Sequence, residues 1–134
     1  MTRASGDPRT LLPRDKFDIA AVERIRAAGY PTVAPILDEL VGWTADGNWP
    51  VARPTADFLI TLGDPVVAPL ARLLRGSDAS HKEQCLRLVV QRLPGEILVK
   101  LEAELRELAE RPSDDDRREA ADIAARDALE RLDR

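Results

Sequence analysis

From Asp18 onward, apolar residues return every three or four positions, and glycine and proline divide them into helix-length stretches. Ile19, Val22, Ile25 and Ala28 predict a first helix, with Asp18 as its N-cap and Gly29 as its left-handed stop. Val33, Ile36, Leu37, Leu40 and Val41 predict a second, with Pro31 in its first turn, Pro35 somewhat too deep, and an end near Trp43. A third runs through Val51, Thr55, Leu59 and Leu62, capped by Asn48 and stopped by Gly63. Asp64 and Pro65 open a fourth, whose stripe is Val66, Val67, Leu70, Leu73 and Leu74 before Gly76. The fifth begins at Asp78 or Ser80, carries Leu86, Val89, Val90 and Leu93, and breaks at Pro94. Ile97, Leu98, Leu101, Leu105 and Leu108 make a sixth up to Pro112. Ser113 and Asp116 form a capping-box pair for a seventh, with a face of Ala120, Ala121, Ala124, Ala125 and Ala128.

One stretch occurs twice. GYPTVAPILDELVG, Gly29 to Gly42, returns thirty-four positions later as GDPVVAPLARLLRG, Gly63 to Gly76, with seven of fourteen pairs identical. The shared letters fall where a helix starts, packs and stops, so they mark a repeated structural unit rather than a repeated active site. The expected fold is all-α: a right-handed α-solenoid of HEAT-like helical repeats, six to seven helices and no strands. Residues 1–14 read as a flexible tail with Leu11 and Leu12 able to dock, and 15–134 as a single domain in which 112–134 is a weakly packed capping helix.

Composition narrows the function classes. The chain of 134 residues carries a net charge of −4 with its basic residues scattered, a poor match to a phosphate backbone. A single Cys85 and a single His81 leave no internal disulfide and no metal cluster, so no cofactor or metal is expected, and a reducing cytoplasm fits. No stretch reads as a membrane span or a secretory leader, and the mature protein is expected to be the whole chain.

The string LGDPVVAPLARLLRGSDASHKEQCLRLVVQRL, Leu62 to Leu93, resembles the HEAT-like repeats of phycobilisome lyases and alkylpurine DNA glycosylases. Across 11–94 the chain is similar to a small bacterial family of uncharacterised domains, on the segments LLPRDKFD, AVERIRAAGYP and DGNWPVA and a Cys-containing third repeat. The resemblance implies a stack of helical hairpins and no particular chemistry. Where that family carries further aromatics before the Cys, this chain has His81, Lys82 and Glu83.

In such a stack the helices that begin near Asp18, Asn48 and Ser80 are neighbours, and their starts share an edge. Lys16, Asp46, Asn48, Trp49, His81 and Lys82 are the candidate partner-binding residues on that edge, with Arg53 and Asp57 on the adjoining concave face. The competing reading makes the Asp and Asn residues caps and Trp49 a staple. His81 with Cys85 one turn on has the spacing of a base and nucleophile, yet Cys85 sits among core positions, and no catalytic residue is assigned. The expected function is therefore a non-enzymatic protein–protein interaction module, monomeric or weakly dimeric, with another protein as partner and no membrane. The alternatives are a toxin-neutralising immunity protein and a nucleic-acid-binding relative of the alkylpurine DNA glycosylases, the latter opposed by the acidic charge.

Overall fold

The computed structural model describes residues 7–133, and every regular element among them is helical. Three caps appear where the sequence places them. Helix α1 (Ile19–Ala28) is capped by the Asp18 carboxylate, which accepts from the Ala21 N–H, and leaves through Gly29 at φ 67°. Helix α5 (Ala79–Leu88) is capped by Asp78, which accepts from the His81 N–H at 3.1 Å. Helix α8 (Asp114–Arg118) follows a reciprocal capping box between Ser113 and Asp116, both bonds 3.0 Å.

The prolines shift the other starts. Pro31 lies in a turn rather than in a helix, and α2 (Leu37–Gly42) begins only after a 3-10 turn at Ala34–Ile36 that contains Pro35. A continuous helix through both prolines would lose backbone bonds and clash with the preceding turn, so the chain tightens first. A second 3-10 turn, Asp64–Val66, precedes α4 (Val67–Arg75), where Pro69 falls among the first residues, whose N–H groups have no intrahelical partner anyway. Asn48 is not a cap: Asp46 accepts from its N–H at 2.8 Å in a turn, and α3 (Ala52–Ile60) starts four residues later. Asp64 likewise gives its carboxylate to Lys100 instead of capping.

The predicted sixth and seventh helices are both interrupted. The sixth becomes α6 (Gly95–Leu98), a 3-10 turn at Val99–Leu101 and α7 (Glu102–Glu110). The seventh becomes α8 and α9 (Ala121–Leu132), joined by Ala120 in the left-handed region at φ 64°, ψ 25°. A Cβ there crowds the following carbonyl by roughly 1–2 kcal/mol. Ala120→Gly should raise folding stability by about 0.5–1 kcal/mol after the extra chain entropy of glycine. Thermal denaturation checks this, and a lower midpoint would sink it.

The tail also differs from expectation. Residues 1–6 lie outside the described residues, but Pro8–Leu11 forms a 3-10 turn capped by Asp7, Leu11 and Leu12 pack on the core, and Pro13 is buried. The apolar pair holds the segment down because its burial outweighs the ordering of a few residues.

Helix α4 packs on both α2 and α7, α3 on both α1 and α2, and α9 on both α5 and α7. Several bonds between elements have sequence offsets close to that of the repeat. Arg72 pairs with Asp38, its counterpart in the other copy of the repeat, at 3.1 Å. Arg92 reaches Asp57 at 2.6 Å, Gln84 accepts from the Gly47 N–H at 2.8 Å, and Gln91 donates to the Ala124 carbonyl at 3.0 Å. The α9 alanines at 121, 124, 125 and 128 are fully buried, so this helix is wedged against α5, α6 and α7 rather than laid on as a loose cap.

Candidate functional site

The edge where α1, α3 and α5 begin is built around the loop Trp43–Trp49. Its two indoles meet edge to face, 5.7 Å between centroids at 65°, and each is half-buried. The loop is clamped from three directions. The Thr44 hydroxyl donates to the Val41 carbonyl at 2.6 Å, and His81 Nε2, 3.1 Å from the same oxygen, must carry the proton to donate there. The Gly47 N–H donates to Gln84 of α5 in an approach so close that an added Cβ would lie 2.9 Å from the Gln84 oxygen. Past the loop, the Val51 N–H donates to the Lys16 carbonyl at 3.1 Å. Lys16, Asp46, Asn48, Trp49 and His81 are thus brought together, with Lys16 and Asn48 exposed and His81 used as a brace.

Two of the remaining candidates are placed less freely. Arg53 is exposed on α3, whereas Asp57 is engaged by Arg92. Lys82 corrects the sequence reading outright: it is not on the exposed edge but 4% exposed, its ammonium 2.8 Å from Asp116 Oδ1 of α8. The physical reason is register. Ala79, Lys82, Cys85, Leu86 and Val89 share the inward stripe of α5, so the lysine follows its neighbours into the interior and must be paired there. Burial alone would raise the Asp116 carboxyl, but the Lys82 ammonium and the Ser113 N–H outweigh it and hold the group below the usual range. The pair forms the floor of a cleft of about 510 Å³ between the end of α4, α7 and α8, which the sequence did not suggest. Lys82 on an apolar stripe was the one available signal.

Cys85 is fully buried, and burial pushes its thiol up to about 12 against a small opposing pull from Thr44. A thiol that stays protonated at neutral pH is a weak nucleophile, and the His81 imidazole is turned to the end of α2. Among the described residues, no group of three or more His, Cys, Asp or Glu side chains could hold a metal ion. No described helix is long and apolar enough to cross a membrane.

A family model described as Domain of unknown function (DUF5071) matches residues 11–129, and the chain belongs to that family. No curated protein matches it.

Proposed function

We propose that this member of the family is a protein-binding module that docks a partner on the edge formed by Lys16, Asn48 and the Trp43–Trp49 pair, with no catalytic step of its own. The observation that carries the reading is the indole pair, half-buried but reached by solvent, on a loop tied down at Thr44, Gly47 and Val51. A rigid aromatic surface loses little entropy on binding, and tryptophan is enriched among the residues that dominate interface energies. Several of the inter-element bonds have offsets of 33 to 37 residues, close to the spacing of the repeat, which supports the finer view of a right-handed HEAT-like solenoid whose repeats stack by translation. An array of that kind presents an extended face to another protein, and the net acidic charge favours that over nucleic acid.

The test is Trp49→Ala, measured against a partner recovered by crosslinking and then purified. Affinity should fall by about 2 kcal/mol, roughly thirtyfold. The thermal midpoint should move only by the loss of one edge-to-face contact and part of the indole burial. Unchanged affinity in a protein that still melts normally would remove this edge. A salt-sensitive shift of duplex DNA at physiological ionic strength would overturn the protein-partner reading itself.

A further inference from the structure

The indole edge carries a third aromatic residue that sequence periodicity did not single out. Phe17, on the segment leading into α1, is 67% exposed, the most exposed large apolar side chain among the described residues. Its backbone is nevertheless fixed. The Phe17 N–H donates to Asp15 Oδ1 at 2.9 Å, its carbonyl accepts from the Ile19 N–H at 2.8 Å, and the neighbouring Lys16 carbonyl accepts from the Val51 N–H at 3.1 Å. That last bond sets Lys16 and Phe17 beside the start of α3, two residues past Trp49. An apolar ring held out in water next to two indoles is surface of the kind that a complex covers.

The charges on this edge differ in how they are occupied. The carboxylates are turned back to the backbone: Asp18 accepts from the Arg14 and Ala21 N–H groups, Asp46 from Asn48 and Asp15 from Phe17. The cations reach outward on longer arms. Lys16 holds its ammonium over the Phe17 ring, 5.4 Å from the centroid, and pairs with no carboxylate among the described residues. Arg53 would find an acid one turn on at Asp57, but Arg92 takes that carboxylate at 2.6 Å, and the first turn of α3 contains no acidic residue. Two unpaired cations therefore flank the aromatic rings. Asp15, Asp18 and Asp46 balance Arg14, Lys16 and Arg53 in number, so the edge selects by pairing at contact rather than by a long-range field.

We infer that the partner docks here through an acidic, apolar segment, in which a large apolar side chain covers Phe17 and the indoles and nearby carboxylates pair with Lys16 and Arg53. This rests on the reading of the edge as the docking surface and adds the chemistry of its occupant. A basic segment would set like charges against both cations. Single-stranded nucleic acid also joins anions to flat rings, but a phosphate chain needs net positive charge, and indoles packed edge to face cover part of each other instead of standing as separate platforms for successive bases.

The experiment selects binders to the full chain from a displayed library of random peptides and measures the affinities of the winners with purified protein. Peptides bound by the natural chain and lost with Trp49→Ala should be enriched in Asp and Glu close to Trp, Phe, Leu or Ile. Lys16→Ala combined with Arg53→Ala should weaken them about tenfold, the loss of two exposed pairs. Lys16→Glu combined with Arg53→Glu should turn the selection toward Lys and Arg. Both side chains are exposed and Lys16 holds Val51 through its backbone, so thermal midpoints should stay near that of the natural chain; if the glutamate variant melts lower, the alanine pair decides. Trp49-dependent peptides that are neutral or basic, or that bind the alanine pair unchanged, overturn the inference and leave the indole edge standing. A library that yields no Trp49-dependent peptide removes the edge and the inference together. Oligodeoxythymidine that outbinds every selected peptide, and is lost with the alanine pair, overturns it by assigning the cations to nucleic acid.

Discussion

Lys82→Ala should destabilise the fold by about 3–5 kcal/mol, because it strands the Asp116 carboxylate beneath the cleft without its counter-charge. Urea unfolding at neutral pH measures it, and a loss below about 1 kcal/mol would mean that water reaches the carboxylate freely. Lys82→Met combined with Asp116→Asn should recover most of the loss, since the amide oxygen can still cap Ser113 and no unpaired charge remains. The pH dependence has a definite sign. The folded protein holds the Asp116 carboxyl low, so its contribution is complete above the unfolded carboxylate value of about 3.9 and is lost as pH falls through the lower folded value. The stability gap between the natural chain and Lys82→Ala should therefore narrow in acid.

Leu105→Ala should cost about 2–5 kcal/mol, placed toward the upper end by its surroundings. Leu105 is fully buried on α7, which is packed against α4 on one side and α9 on the other. The α9 surface is alanine at 121, 124, 125 and 128, and such short side chains have no freedom to swing into a hole. The cavity should remain open rather than collapse. Denaturant unfolding checks the value, and a loss below about 1.5 kcal/mol would show that α7 and α9 can close together.

The sequence made the helices legible wherever the determinant was local. Asp18, Asp78 and the Ser113–Asp116 box cap where they should because a cap is decided within three residues. The buried stripes followed for the same reason, from Val22 and Ile25 in α1 to Leu105 and Leu108 in α7. Pro31 and Asn48 misled because each fits a helix start taken alone. Pro35 and the Asp46 turn decide otherwise just downstream and upstream of them. The break at Ala120 carried no signal, since alanine is the strongest helix former and nothing in its letter announces a left-handed residue. Of the candidate site, the indole loop was visible as two tryptophans around a short connector, although not as an edge-to-face pair. The cleft was invisible because Lys82 finds its partner thirty-four residues later, and only their joint burial turns two ordinary charges into a floor.

The short sequence offset between bonded elements also bears on how the chain reaches this state. No hydrogen bond among the described residues spans more than 40 positions, the longest being His81 to Val41 and Arg131 to Gln91. Ends of the chain need not find each other, so the loops closed during folding are short and the entropic barrier is low. Structure can begin locally, in a pair of packed helices such as α2 and α4. Amide protection should accordingly be highest in α4 and α7, each packed between other helices, and lower in α1, which packs on α3 and on the Pro8–Leu11 turn.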